Sequence, residues 1–442
     1  MARSTLVRWA IQSLGPTLAM KRSAKAGEIG PKIAVDKDIW RDPFPWYDAL
    51  REQGPLVAGQ VVYSTASHQA CSEVLRSSSF GVGFDTSSLP PVARTAFNLS
   101  FDRRYPGPAE PPSLLAVDPP DHTKYRRLVS KAFTARAVAA LEKRVEATAD
   151  ELLDKMESQD SLDLVAAYAA PLPVRIIAEI LGVPEHMHQQ LLEWGNEAAV
   201  TLDPALSYRT FKKAAKALRE MHMWLDHHLG ELRRNPGDDL MSQLATLQDE
   251  GDTMSQVELR ATALLVLGAG FETTVNLIGN GVMALLTHPE QLAILREDPS
   301  LWPNATDEIL RWDSPVQATA RVAAEETEVA GVKVAAGKFV TMMIGGANRD
   351  PEVFANPHEF DVRRENARDH LAFSAGIHFC LGASLARLEG AVALRKLFER
   401  FPDIALDGLP ERRPLRVLRG YEHFPVRLRA GHVSERQPAL TG

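Results

Sequence analysis

Residues Ala261–Leu286 form a run of 26 that is almost entirely apolar. A run of that length either spans a bilayer or passes as a helix through the core of a large soluble domain. Glu272 sits near its middle, where a lipid-facing carboxylate would cost about 3 kcal/mol. With Asn276 and Asn280 it recurs at i, i+4 and i+8, so the three polar side chains share one stripe of an apolar cylinder. Both features predict a core helix and no transmembrane segment. The chain can supply the surroundings: 442 residues, 45% of them hydrophobic, suffice to bury such a helix without disulfides or a structural metal.

The remainder reads as mostly helical. Val138, Leu141, Val145, Ala149 and Leu152 step by three and four, as a one-faced helix requires. Similar periodicity covers about 173–181, 186–200, 208–234, 255–287, 289–297 and 303–313. After Arg321 the period becomes two. Val329, a turn at Ala330-Gly331, Val332 and Val334, a turn near Gly337, and 339–344 predict a small β meander. Helix resumes from Gly382 to Phe401 and stops at Pro402. Residues 81–120 read as a long loop, holding 8 of the 29 prolines among Phe84, Phe97, Phe101 and Tyr105; loops of this kind commonly cover a site. No linker divides the chain. One mainly α domain with a small β lobe is expected over 38–442. An extension, 1–37, precedes it, and its apolar residues from Leu6 to Met20 predict an amphipathic lead-in packed on the body, with contact to a membrane as the other reading.

Charge and cysteine content exclude several functions. Lys plus Arg is 50 and Asp plus Glu 57, a net charge of −7, so the chain has no global footprint for nucleic acid or an anionic membrane. Only Cys71 and Cys380 occur, which rules out a disulfide framework and a multi-cysteine zinc or iron–sulfur site. A reducing compartment, the cytoplasm, fits.

Four short segments carry chemistry. In Phe373–Gly382, Gly376 and Gly382 permit close approach of backbone to a flat ligand, and Cys380 lies between them at the start of an amphipathic helix. The positive helix start favours a thiolate, and a single thiolate on a tight loop suits a haem iron better than zinc; a buried free cysteine in a helix-entry turn is the plain alternative. In Ala269–Thr274, small residues leave a notch, and a Thr hydroxyl beside an acid offers a proton route into it; the same residues would serve as a packing notch. Glu308 and Arg311 are i, i+3 neighbours that can pair. His122 and Arg126 are i, i+4 neighbours on a helix entered through Asp118-Pro119-Pro120, two donors aimed at one spot as an anion requires. Lys124, Arg127, Lys131 and Arg136 make that stretch locally basic.

In this order, the segments resemble the cytochrome P-450 superfamily, in particular its soluble bacterial branch. Phe373, Gly376, His378, Cys380 and Gly382 match its haem-loop pattern; Ala269, Gly270, Glu272, Thr273 and Thr274 match its oxygen-activating helix; Glu308 and Arg311 match its Glu-x-x-Arg pair; Asn348, Arg349, Asp350 and Pro351 match a further stretch. The resemblance runs from about residue 38 to the C-terminus.

The resemblance implies a triangular helical prism around one haem b. It implies that Cys380 is the axial ligand to iron and that His122, Arg126, Arg321 and His378 hold the haem propionates. Ala269 and Gly270 would line the cofactor, and Thr273 with Glu272 would deliver protons to dioxygen. Glu308 and Arg311 would lock the fold beneath the haem. By position in the family, Phe84, Phe97, Phe101, Leu114, Val266, Val316 and Thr319 would wall a pocket for an apolar substrate: a lipid, steroid, terpenoid or polyketide. The implied activity is insertion of one atom of O2 into that substrate by a monomer without an integral membrane anchor. No Gly-rich dinucleotide motif is present, so the implied electron source is an external ferredoxin with its reductase, docking on the basic stretch Lys124–Arg136. Two other readings stand beside this one: a haem-thiolate enzyme of different chemistry, such as a peroxygenase or NO reductase, and a non-catalytic haem sensor. Two positions depart from the pattern. Ser374 stands where bacterial members mostly have Gly, and Glu359 stands where an Arg often completes the Glu-x-x-Arg network, leaving Arg363 or Arg364 to substitute.

Overall fold

A computed structural model describes residues 2–83, 91–246 and 254–428. Its helices, in chain order, begin with α1 (Ala2–Trp9), α2 (Gly15–Lys25), α3 (Ile29–Val35), α4 (Lys37–Arg41), α5 (Phe44–Glu52) and α6 (His68–Arg76). Next come α7 (Pro91–Ser100), α8 (Asp121–Val129), α9 (Ala135–Met156), α10 (Pro171–Ile180), α11 (His188–Ala199) and α12 (Tyr208–Arg234). The last are α13 (Leu240–Thr246), α14 (Gln256–Thr287), α15 (Pro289–Glu297), α16 (Trp302–Trp312), α17 (Ile344–Ala347) and α18 (Ala383–Arg400). The expected helical spans agree with these to within a residue or two. Local chemistry sets the boundaries. Ser67, Thr134 and Ser207 cap α6, α9 and α12 by accepting a backbone N–H, Ser255 and Glu258 form a reciprocal capping box on α14, and prolines open α10, α15 and α16, where the missing N–H costs nothing.

The helix α14 is the axis of the largest hydrophobic cluster, packed by α10, α11, α12, α16 and α18. It is long and apolar enough to cross a bilayer, but 72% of its most hydropathic window lies buried inside the protein. Its polar stripe is met by main chain from two segments: the Asn280 amide donates to Asp313 O at the end of α16 at 2.9 Å and to Arg419 O of the C-terminal segment at 3.0 Å. One turn earlier, a Cβ at Gly420 would stand 1.8 Å from Asn276 Oδ1, so only glycine lets this backbone approach the helix.

The β lobe flanks the helices. Strands β1 (Val62–Thr65), β2 (Phe80–Gly81), β4 (Ala318–Ala323) and β7 (Phe339–Met343) form one sheet in the order β1-β7-β4-β2. The pair β1/β7 is parallel, and β4 runs antiparallel to β7 and to β2. The expected hairpin is present as β5 (Thr327–Val329) and β6 (Val332–Val334), its two turn residues Ala330 and Gly331 both at positive φ as a tight hairpin requires.

The loop expected over 81–120 needs correction, because it contains the helix α7. Pro91 is its first residue, and Val92, Ala96 and Leu99 recur at helical spacing; the flanking prolines mask that short period. Packing is continuous across residue 38, since Ile33 of α3 shares a cluster with Ile39, Tyr47 and Leu50.

A knot of charges closes the base of the fold. Arg311 donates from Nε to Glu308 Oε2 at 2.7 Å and from Nη2 to Glu308 Oε1 at 2.8 Å. It also reaches the carbonyls of Asn348, Pro357 and Glu359. Arg364 donates to the same carboxylate at 3.1–3.2 Å and to the carbonyls of Ala355, Asn356 and Glu359. The third member of the network is therefore Arg364 and not Arg363, and Glu359 contributes only its main chain. Removing one partner from a fully buried ion pair leaves an uncompensated charge, which costs about 3–5 kcal/mol. Arg311→Met is expected to lower the free energy of unfolding, read from urea denaturation, by that amount, while Arg363→Met changes it by no more than about 0.5 kcal/mol.

Candidate active site

The loop before α18 is built around Cys380. Its N–H donates to Phe373 O at 2.8 Å, and the Gly382 N–H points to its sulfur. Burial pushes the thiol pKa up, against the pull of the Gly382 N–H, Arg126 and Arg387. Two residues of the loop take left-handed backbone, Ser374 (φ 63°) and Gly376 (φ 68°). Gly376 is irreplaceable on steric grounds as well, because a Cβ there would meet Leu75 O of α6 at 2.2 Å.

Beside the sulfur, four groups from three elements converge. The rings of His122 (α8) and His378 (the loop) lie 4.3 Å apart between centroids. Arg126, one turn along α8 from His122, donates to Phe379 O at 2.7 Å and so ties α8 to the loop. Arg321 comes from β4, is buried, and donates to Thr319 Oγ1 at 3.3 Å and Ala320 O at 2.8 Å. Burial, Arg321 and His122 together hold the His378 pKa down at about 4. Burial, with Arg126 and Arg321, likewise lowers that of His122. The nearby carboxylate is Asp118, 4.0 Å from His378 Nε2 and engaged by the N–H groups of Val82 and Gly83. The Nε2 atoms of both histidines are buried without a hydrogen-bond partner. A cluster of donors with excess positive charge and orphaned ring nitrogens fits a carboxylate-bearing ligand; haem propionates are such groups.

On α14, Thr273 Oγ1 donates to Ala269 O at 3.0 Å and Thr274 Oγ1 to Gly270 O at 3.3 Å, each back by four residues. Ala269 is exposed and Thr273 half-buried, so the notch is open on that side. At Gly270 a Cβ would touch Ile177 Cγ1 of α10 at 2.8 Å. Thr274 also bonds Glu389 of α18, whose carboxyl burial pushes far above the ordinary range. Glu272 is buried and ion-paired with Arg413, while its Oε2 has no partner. Its pKa is raised by burial against the pull of Arg413. Arg413 in turn donates to Asn196 Oδ1 of α11 at 3.1 Å and to Tyr421 O at 3.3 Å.

Sequence reasoning missed Arg413, which lies 141 residues from Glu272 with no local signal to connect them. It also missed Asp307, which accepts from Arg387 Nε at 2.6 Å, Arg368 Nε at 3.1 Å and His370 Nε2 at 3.2 Å, and so fastens the Cys380 loop to α16. The residues expected to wall a substrate pocket fall in several places. Leu114 and Val266 share the main core cluster, Thr319 precedes Arg321 on the same face of β4, and Val316 and Phe101 are half-buried. Phe84 and the side chain of Phe97 lie outside the described residues.

Fold and site together define a mainly helical protein with a cysteine loop beside a cluster of anion-binding donors. A model of the family "Cytochrome P450" matches residues 174–407. The chain is 49% identical over 412 residues, 91% of its length, to "Putative cytochrome P450 140" of Mycobacterium tuberculosis, of which the match spans 93%. It is 46% identical over 316 residues to 6-deoxyerythronolide B hydroxylase of Saccharopolyspora erythraea, covering 70% of this chain and 76% of that one. A crystal structure of P450BioI with an acyl carrier protein ligated to hexadec-9Z-enoic acid superposes with a TM-score of 0.81 at 33% identity, covering 89% of this chain and all of that one. The chain belongs to the cytochrome P450 family. It is a P450 monooxygenase, and its cofactor is haem b.

The departure at Ser374 now has a physical reading. A non-glycine residue at φ 63° is strained, and its buried Oγ has no partner. Ser374→Gly is expected to stabilise the protein by about 1 kcal/mol, read as a higher denaturant midpoint with an unchanged ferrous carbonyl spectrum.

Proposed function

We propose that Cys380 is the axial sulfur ligand and that His122, Arg126, Arg321 and His378 bind the two haem propionates. The observation that carries this reading is the pair of buried, unpartnered Nε2 atoms on His122 and His378, flanked by two guanidinium groups next to Cys380, the half-buried one of the two cysteines. When bound, haem activates dioxygen so that one atom enters the substrate and the other leaves as water. The rest falls to the chain. Arg413 holds Glu272 Oε1, so Oε2 is the oxygen that carries and releases a proton. Thr273, the next residue, presents a hydroxyl at the notch that would take up a proton on Oγ1 as it releases its own, held at rest by Ala269 O, into the notch. Ala269 and Gly270 keep the helix surface low enough for a flat ligand. Glu308 and Arg311 act only through the loop they position.

The substrate in this reading is apolar, with lipid, steroid, terpenoid and polyketide as its classes. Similarity to a hydroxylase of 6-deoxyerythronolide B favours the polyketide class. The walls are Leu114, Val266, Val316 and Thr319, with Phe84, Phe97 and Phe101 on the lid side. Electrons come from a ferredoxin and its reductase in the cytoplasm, docking on the basic stretch Lys124–Arg136, where Lys131 and Arg136 are exposed.

Two measurements test this. Cys380→Ser should abolish the thiolate signature of the ferrous carbonyl spectrum, and Thr273→Ala should keep NAD(P)H consumption while product per NAD(P)H falls at least about tenfold and peroxide appears. A retained spectrum in the first overturns the ligand assignment; unaltered coupling in the second points to a peroxide-driven enzyme. For the docking face, reversing Arg127 and Lys131 to Glu should raise the KM for ferredoxin about tenfold at low salt and little at high salt.

A further inference from the structure

Residues 2–25 form a helical run that leaves aliphatic side chains on its outer side. α1, a π-turn (Ala10–Leu14) and α2 follow one another without a break. A surface helix of a soluble domain ordinarily turns its apolar face inward. Here the inward contacts are largely polar, beside the Trp9 ring set edge-on against Tyr208 and the buried Met20. Arg8 donates to Ser100 O at 2.8 Å and pairs with Asp102 at 3.1 Å; Gln12 donates to Glu110 Oε1 at 2.8 Å; the Trp9 indole donates to Leu206 O at 2.8 Å. Outward stand Leu6, Val7, Leu14 and Leu18, 46%, 52%, 36% and 58% exposed. Leu14 and Leu18 share one helical face, and the same spacing continues into Lys21, Arg22 and Lys25, all exposed and with no ion pair among the described residues. From Met1 to Gly27 the sequence has five basic residues and no carboxylate, in a chain of net charge −7.

We propose that this helix is a docking surface for an anionic lipid bilayer, lying in the interface with its leucines inserted and its lysines on the headgroups. An aliphatic stripe that ends in a basic cluster is the pattern of an interfacial helix. A protein interface would instead centre on aromatic anchors, and a two-fold pairing of this face with a second copy would set its cations against one another. The inward contacts land on residues 100–110 and on the α11–α12 connection, so docking would bring both segments to the lipid.

The test uses the full-length, haem-loaded protein with sedimented vesicles of phosphatidylcholine, alone or mixed with phosphatidylglycerol. Binding is expected only with the anionic lipid, weakening as salt rises. Each lost cation costs about fivefold in partition, so K21E/R22E/K25E should bind at least about 100-fold more weakly. L14E/L18E should lose binding too, and both variants should keep the ferrous carbonyl spectrum of the parent. No binding to anionic vesicles, equal binding to both vesicle types, or binding unchanged in either variant overturns the proposal. A solution dimer that L14E/L18E dissociates overturns it in favour of a second copy.

Discussion

Two adjacent carboxylates on α16 hold the site together. Glu308 faces the main chain of 348–364 through Arg311 and Arg364, and Asp307 faces the Cys380 loop through Arg368, His370 and Arg387. The first half reaches the loop as well. Arg311 bonds Asn348 O, and the Asn348 side chain accepts the Leu371 N–H at 2.6 Å while donating to Ser314 Oγ at 2.7 Å. Leu371 is two residues before Phe373, whose ring Arg387 covers at 4.6 Å and whose carbonyl fixes the Cys380 N–H. A charge knot worth little as an exposed pair becomes decisive here because Glu308 and Arg311 are fully buried and bonded to each other through both carboxylate oxygens.

The two sides of the site are then electrostatically unlike. Around the sulfur, His122, Arg126, Arg321 and His378 give an excess of donors that only an anion can neutralise. Across α14 the charge is one buried carboxylate with one guanidinium. A ligand carrying carboxylates on one edge and an uncharged face toward α14 matches that distribution, and haem is such a ligand.

Much of this was legible in the sequence because it is local. The periods of α9, α12 and α14, the turn at Ala330-Gly331, and the i, i+3 and i, i+4 pairs Glu308–Arg311 and His122–Arg126 depend on near neighbours alone. What escaped depends on tertiary approach. Arg363 and Arg364 are equally basic, and only the path of the main chain decides which faces Glu308. Arg413 meets Glu272 across the packing of a C-terminal strand on α14. The helix α7 was hidden for a different reason, since the prolines on both sides of it dominate a composition-based reading.

Glu308 and Glu272 make an instructive contrast, both being buried acids on helices of the same core. Glu308 has both oxygens occupied by two guanidinium groups and the Asp361 N–H, so any proton would have to displace existing bonds. Glu272 has a single cationic partner on Oε1 and a bare Oε2. Leaving a buried carboxylate oxygen unpaired costs on the order of 1–3 kcal/mol. A fold that satisfies one acid so fully tolerates that cost at the other, and the oxygen it leaves free is the one the proposed proton delivery would use.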